Sequence, residues 1–379
     1  MTNSQTTQFT LPQDLGLNPV RWDAVCRQLD DRCGDGTLPS AGMIAGRGPM
    51  LTKPYLAGHQ TVDARVRIRE DAAFLVASIT KPVVAMAALT LIERGQMALS
   101  DKVIEYIPEF GTNGKNAVRI RNLVTHTSGL PDMLPNNVEL REQQSPLSAF
   151  VEGTCKCELD FAPGKGVKYQ SMGLAILGEI IQRVAGIPCS DYVTREIFQP
   201  LGMHDSHLGV PPTWFEGDSP ECDRIAEIKV PEQQEDAVWN WNRPYWRQLG
   251  APWGGLITTP RDLAIFCQMM LGHSEADILS PATIRSATRN QIEVMPDVPE
   301  VDRRTRGWGL GWRLSWPAHS ANFGDFLGPK TYGHWGATGT VLWIDPDLDA
   351  FFILLTTRPQ EPHGKYLAQI SNMAAASFC

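Results

Sequence analysis

The stretch Phe74–Gly95, FLVASITKPVVAMAALTLIERG, decides how this chain is read. At its centre is Ser78-Ile79-Thr80-Lys81, a Ser-x-x-Lys tetrapeptide. An apolar, helix-forming run follows: Val83, Val84, Met86, Ala87, Leu89, Leu91 and Ile92. Gly95 stops the run, and Pro82 is tolerated in a helix only near its start, so the helix begins within a turn of Ser78. Residues three apart on a helix share a face. The Lys81 amine can then reach the Ser78 hydroxyl, and an amine kept neutral by burial can take its proton. The helix N-terminus adds backbone N–H groups and partial positive charge beside the serine, suited to a developing oxyanion. By itself the tetrapeptide reads as an N-cap serine with a solvated lysine. Here residues Ala73–Ala77 ahead of it are apolar, which puts the motif at the mouth of a core helix.

Outward from that helix, composition narrows the possibilities. With 379 residues the chain can bury a substantial core in one large domain or two. A formal charge of -8 offers no electrostatic footprint for nucleic acid or an anionic membrane. No stretch approaches the ~18 apolar residues of a spanning helix. The opening MTNSQTTQFTLPQDLGLNP has neither a basic nor an apolar signal region, so a cytoplasmic location is expected. The eight cysteines are too sparse for a disulfide scaffold. Cys155-Lys156-Cys157 lacks a second ligand pair at zinc spacing, so neither a metal nor a cofactor is expected.

Residues 1–16 read as a polar lead-in, and Pro19 to Arg32 has helical spacing. Ser40–Ala45 and Met50–Ala57 are strand candidates about Gly46-Arg47-Gly48. Leu99-Ser100-Asp101 reads as a helix start, and Ile120 to Leu130 as a helix ending at Gly129. Within that segment His126 and Ser128 invite a Ser–His reading. Two apart they point different ways, and no Gly-x-Ser-x-Gly elbow occurs in the chain, so a structural role beside the site is expected. Met172, Ile176, Ile180 and Val184 form an i, i+4 stripe stopped by Gly186. Tyr169 stands at the entry to that helix, where a packing role is the ordinary alternative to a chemical one. From Gly209 to Gly250 the chain is loop-like, with Trp239, Trp241, Tyr245 and Trp246 either packing or walling a pocket. Thr259 and Ser280 each open a further helix. Gly307–Leu314, Tyr332–Trp335, Thr340–Asp345 and Ala350–Thr356 are strand-like, with a closing helix over Leu367–Ala376.

Strands at both ends and helices between them imply an α/β (α+β) fold. One antiparallel sheet is built from N- and C-terminal strands, flanked by helices, with a mostly helical inserted region. A single domain is expected over 17–379, its α/β part at about 17–80 and 300–379 and its helical part at about 81–299.

Four segments together resemble the serine β-lactamase and penicillin-binding-protein superfamily, and within it class C β-lactamases and family VIII carboxylesterases. They are SITK at Ser78, LVTHTSGL at Leu123, PGKGVKYQSMGLAILG at Pro163 and YGHWGATGTVLWIDP at Tyr332. IFQPLGMHDSHL at Ile197, GGLITTPRDLAIF at Gly254 and RGWGLGWRL at Arg306 support them. Order and spacing carry the resemblance over nearly the whole chain, and the two-ended sheet is also this superfamily's fold. The resemblance implies that Ser78 is the acylated nucleophile, with Lys81 as its base partner. It makes Tyr169, at the tyrosine of the Tyr-x-Asn motif, a proton shuttle whose pKa nearby cations lower. It implies an oxyanion hole from the backbone N–H groups of Ser78 and Ala337.

Two positions depart from the pattern. Ser171 replaces the asparagine of Tyr-x-Asn, and His334-Trp335-Gly336 replaces Lys-Thr-Gly; GATGTVLWIDP fixes that register against the tempting Lys330-Thr331. A weakened positive charge at His334 and a bulky Trp335 favour neutral, apolar esters over carboxylated β-lactams or D-Ala-D-Ala peptides. The expectation is a serine carboxylesterase acting on a small-molecule ester, with Ser171, His334, Trp335 and Gly336 lining the substrate site. A β-lactamase, a D-amino-acid peptidase or amidase, an acyltransferase and a non-catalytic ligand-binding member are the alternatives. No nucleic-acid or membrane partner is expected, and oligomeric state is not encoded legibly.

Overall fold

A computed structural model describes residues 9–63, 66–217, 219–314, 322–359 and 364–379. The first eight residues of the expected lead-in lie outside the described residues. Its remainder is structural rather than a simple polar tail: Phe9–Thr10 (β1) joins the main sheet, and Leu15 is buried. Pro19–Gly34 forms α1, entered through Asn18, whose side chain accepts the Arg21 N–H. Strands β2 (Ser40–Arg47), β3 (Met50–Thr52) and β4 (Tyr55–Gly58) follow. The expected second hairpin strand is split at Lys53-Pro54, so β3 pairs with one end of β2 and β4 with the other.

The short β5 (Phe74–Leu75) leads through a 3-10 turn, Ala77–Ile79, into α2 (Thr80–Glu93). The helical region then runs through α3 (Ile120–Val124), α4 (Asn137–Glu142), α5 (Leu147–Lys156), α6 (Met172–Ala185), α7 (Cys189–Val193) and α8 (Gln199–Leu201). Next come β6 (His207–Leu208), α9 (Pro244–Leu249), β7 (Leu256–Thr258) and α10 (Pro260–Met270), the last capped by the Thr259 side chain. Ser280 caps α11 (Pro281–Thr288), and α12 (Glu300–Thr305) precedes the final strands. These are β8 (Arg313–Leu314), β9 (Tyr332–Gly336), β10 (Thr340–Asp345) and β11 (Ala350–Thr356), closed by α13 (Lys365–Ala375).

Both chain ends meet in one sheet, ordered β1-β3-β2-β11-β10-β9-β8, with β4 also on β2. All its pairs are antiparallel except β1 with β3. Alternation along the central strands divides two cores. Ile44, Leu342, Ile344, Phe351 and Ile353 face the helical region, while Met43, Val341, Trp343, Phe352 and Leu354 pack under α1 and α13. A second, three-stranded sheet, β5-β7-β6, lies within the helical region. Among the described residues no single helix is long and apolar enough to cross a membrane.

Three local expectations need correcting. Ile120–Leu130 is not one helix: α3 ends at Val124 because His126 takes φ +59° and Gly129 φ +81°. Asp101 starts no α-helix; its carboxylate accepts the Ala98 N–H and the Tyr106 hydroxyl, and only a 3-10 turn, Val103–Glu105, follows. Of Gly307–Leu314 only the last two residues pair as strand. The chain bends there at Gly311 (φ +80°), whose N–H donates to the Val124 carbonyl while its backbone rests on α2.

A Cβ at Gly311 would fall 2.4 Å from the Cβ of Ala85. Gly311→Ala adds left-handed strain to overpacking against α2 and is expected to cost about 2–4 kcal/mol. Urea unfolding checks this, and a loss below about 0.5 kcal/mol would show that the contact yields freely.

Candidate active site

Every residue of the first turns of α2 from Thr80 to Ala88 is buried, because helices and sheet surround it on all sides. That all-round burial forces the Lys81 side chain to find partners inside the protein. Its amine donates to the Ser78 Oγ at 2.9 Å and to the Trp253 carbonyl at 2.9 Å. Burial pushes the Lys81 pKa down to about 7; Asp132 opposes the shift and Arg313 reinforces it. At neutral pH a large fraction of this amine is therefore uncharged.

The turn that carries Ser78 is held from three sides. Thr80 Oγ1 donates to the Ala77 carbonyl and accepts the Leu256 N–H. Val76 N–H donates to the Leu256 carbonyl. From the sheet, the hydroxyls of Thr338 and Thr340 donate to the carbonyls of Leu75 and Val76 at 2.7 and 3.0 Å. Ala77, between these anchors, has φ +46°, a strained value for a residue with a Cβ. Gly336 must be glycine for β9 to come this close: a Cβ would lie 2.2 Å from the Val76 carbonyl oxygen. The β9–β10 turn thus brings Ala337 beside the Ser78 turn. Among the described residues, the Ala337 N–H meets no backbone acceptor outside the regular elements.

Tyr169 reaches the same place from the loop before α6. Its ring centroid is 4.7 Å from the Lys81 Nζ. Contrary to expectation, its phenol pKa is raised, not lowered. Burial dominates and Asp132 adds to it, outweighing the hydrogen-bonding contact with Ser78 and the charge of Arg313. Tyr169 is accordingly a neutral phenol at rest.

The loop between α3 and α4 holds that tyrosine in place. Gln170 N–H donates to His126 Nδ1 at 3.1 Å, and the Lys168 N–H to the His126 carbonyl. The buried Ser128 hydroxyl donates to the Gln170 side-chain oxygen, so it is a strut between loops. Ser171, at the head of α6, gives its hydroxyl to Asp132 Oδ1 at 2.6 Å. Asp132 carried no recognisable sequence signal; only the folded loop puts it there.

On β9, His334 lies on the face turned to the helical region, in register with Leu342. Its Nδ1 is 2.7 Å from the Trp335 carbonyl, an acceptor only, so that nitrogen carries the proton. In His126 the opposite holds: Nδ1 accepts and Nε2 is protonated. Both rings are fully buried, and both pKa values are held well below the usual range by burial and by neighbouring cations. Lys330 lies elsewhere, exposed and paired with Asp347.

Position 334 itself carries no charge, but a guanidinium stands close to it. Arg313 on β8 is buried beside His334. Its guanidinium lies 3.5 Å from the Trp335 ring centroid, 4.6 Å from that of Trp308 and 5.7 Å from that of Tyr169. The aromatic cluster divides between the two expected roles. Trp239, Trp246 and Trp253 pack in series, tilted and edge to face, with the Arg141 guanidinium 4.5 and 4.4 Å from the first two rings, whereas Tyr245 lines a surface cavity with Gln144, Val238 and Pro244.

Comparison with known proteins places the chain by family and by fold. The family model described as Beta-lactamase matches residues 32–374, so the chain belongs to the β-lactamase family of serine hydrolase fold. A relative from Salmonella heidelberg (strain SL476), named "Putative D-alanyl-D-alanine carboxypeptidase", is 29% identical over 321 residues, covering 78% of this chain and 72% of its own. The solved structure of EstCE1, "a hydrolase with promiscuous acyltransferase activity", superposes with TM-score 0.76 at 18% identity, over 94% of this chain and 99% of that one. A penicillin-binding-protein homologue from Caulobacter crescentus gives TM-score 0.73 at 21% identity, over 95% and 98%. The LovD6 mutant of simvastatin synthase from Aspergillus terreus gives 0.74 at 17%, over 94% and 97%. At these identities the structural likeness is one of fold.

The two histidines offer a direct check. Long-range 1H–15N spectra are expected to show His126 as the Nε2–H tautomer and His334 as the Nδ1–H tautomer, both neutral at pH 5.5. A titration midpoint near 6.5 for either ring would overturn the buried, cation-flanked environment described here.

Proposed function

We propose that the protein is a serine hydrolase that cleaves carboxylic esters through an acyl-enzyme on Ser78. The observation that carries this is the 2.9 Å contact between the Ser78 hydroxyl and a fully buried lysine amine whose pKa is about 7. In this reading the neutral Lys81 amine takes the Ser78 proton as Oγ attacks the ester carbonyl. The N–H groups of Ser78 and Ala337 hold the oxyanion. Tyr169, a neutral phenol in contact with Ser78, passes a proton to the departing alkoxide, and a water molecule then releases the acid by the reverse sequence.

Three features favour esters over β-lactams. Position 334 offers no ammonium. The Ser171 hydroxyl is already committed to Asp132, so no side-chain amide serves an acylamido group there. Arg313 is covered by the Trp335 ring, leaving Ser171, His334, Trp335 and Gly336 as the lining of an acyl site without a free cation. The name of the Salmonella relative favours a second reading, a D-alanyl-D-alanine carboxypeptidase. The EstCE1 title adds acyl transfer as a competing fate of the same intermediate. A panel of p-nitrophenyl esters, nitrocefin and a D-Ala-D-Ala peptide separates these. Turnover of nitrocefin or the peptide as fast as the best ester would replace the esterase reading.

Ser78→Ala is expected to abolish ester turnover with the fold intact, and a fluorophosphonate is expected to label Ser78. Label on Ser128 would sink the assignment. Tyr169→Phe is expected to lower kcat by ~10²–10⁴-fold with little change in KM, because the phenol acts on a proton in flight. A near-normal kcat would reduce Tyr169 to a packing residue.

In the pH profile of kcat/KM, activity is expected to rise with pH through about 7. Protonated Lys81 cannot accept the serine proton, and its pKa is lowered from 10.5 by burial. A profile rising only toward pH 10 would mean that the amine is not the base.

A further inference from the structure

Arg313 is the feature of the site that the mechanism above leaves idle. It sits at the edge of the sheet on β8, paired with Gly333, the residue before His334. Its guanidinium stacks on Trp335, lies against Trp308, and approaches the same phenol ring that Lys81 contacts from its own side. Gly311, two residues earlier, packs directly on the first turns of α2. A fixed positive charge has therefore been placed, by backbone contacts as well as by its own packing, one aromatic ring away from the proposed base.

We propose that Arg313 is a positioning residue for the reaction: its buried charge, set beside the Tyr169 ring that Lys81 shares, keeps Lys81 a free amine ready to accept the Ser78 proton. The inference rests on the acyl-enzyme reading above. The groups around Lys81 make the need for it plain. Ser78 and the Trp253 carbonyl hydrogen-bond the amine, and Tyr169 covers it with a neutral phenol. His126 and His334 are neutral rings that carry no charge to it. Among the described residues, the two charges acting on it are Asp132, from the loop after α3, and Arg313, from β8. Asp132 draws a proton onto the amine. Arg313 pushes it off, and in a dry site such charges act at several times their strength in water. Burial is the largest influence on the amine and favours its neutral form; Arg313 acts in the same direction, against the carboxylate that Ser171 holds in place.

A merely structural arginine would support the aromatic stack without touching the protonation of Lys81. The sign of a pH shift separates the two roles. The measurement is the rate of fluorophosphonate labelling of Ser78 against pH, which needs no knowledge of the ester substrate. Wild type is expected to show a midpoint near 7. In Arg313→Met the midpoint is expected to move up by about one pH unit, because the amine regains its proton more readily. Arg313→Lys, whose ammonium is discharged more easily in a buried position than a guanidinium, is expected to restore the midpoint only in part. Asp132→Asn is expected to move it the other way, downward.

A slower Arg313→Met enzyme with an unmoved midpoint would overturn the proposal while leaving the acyl-enzyme reading intact. So would Arg313→Met and Asp132→Asn shifting in the same direction. Absence of any labelling of Ser78 would instead defeat the reading itself. Should Arg313→Met fail to fold, by circular dichroism, Arg313→Gln removes the charge with a planar polar end and is read the same way. Failure of both to fold would assign Arg313 to the scaffold and end the proposal.

Discussion

A lysine amine shut away from water is the constraint on which the rest of this structure depends. An ammonium in such a place carries a desolvation cost of many kcal/mol, so the group sheds its proton or gains partners. Lys81 does both: it gives hydrogen bonds to Ser78 and to the Trp253 carbonyl, and burial brings its pKa to the neutral range. To bury it, α2 must be covered all round. α6 and α7 pack directly on it within the larger core, and the tryptophan series ending at Trp253 lies against the amine through the Trp253 carbonyl. The fold is, in this sense, arranged to keep one amine dry at one end of one helix.

Holding the serine beside that amine has a local cost. Ala77 is forced to φ +46° immediately before Ser78. Strain of this kind persists only where surrounding contacts over-determine it. Here Thr338 and Thr340 from the sheet, together with Thr80 and Leu256 from the helical side, fix the carbonyls and N–H groups on both flanks. The same hydroxyls tie the Ala337 turn to the Ser78 turn. Backbone strain before Ser78 and the close approach of the Ala337 turn are therefore set by the same contacts, and Gly336 leaves no room for a side chain there.

Much of this was readable in the chain itself. The continuous apolar run of α2 and the helix starts at Thr259 and Ser280 are local signals, and local signals survive folding. The sheet built from both termini followed from the order of elements. What escaped reading was set by tertiary contact. His126 breaks α3 by adopting a left-handed conformation, because its carbonyl and ring must meet Lys168 and Gln170 from a loop some forty residues away. Asp132 looks like any loop carboxylate until Ser171 closes on it. Arg313 looks like a charged residue on a short strand, and its burial depends on Trp308 and Trp335, which no periodicity connects to it. The direction of the Tyr169 shift was misjudged for the same reason: nearby cations are visible in a motif, whereas burial is not.

These late-appearing residues also make sense of the departure at position 334. A lysine there would stand in a fully buried position, in a site that already encloses Arg313 and Lys81, with Asp132 as the carboxylate that acts on Lys81. Three basic groups in one dry space do not all stay charged; the most easily discharged gives up its proton. A histidine with its proton fixed on Nδ1 by the Trp335 carbonyl avoids that competition, because it is neutral from the start. The positive charge then resides on the group least able to lose it, a guanidinium stacked between indoles. Substitution at 334 and the arginine at 313 are thus two halves of one electrostatic arrangement. Among the described residues, the guanidinium it leaves in the site lies against the Tyr169 ring that Lys81 also contacts.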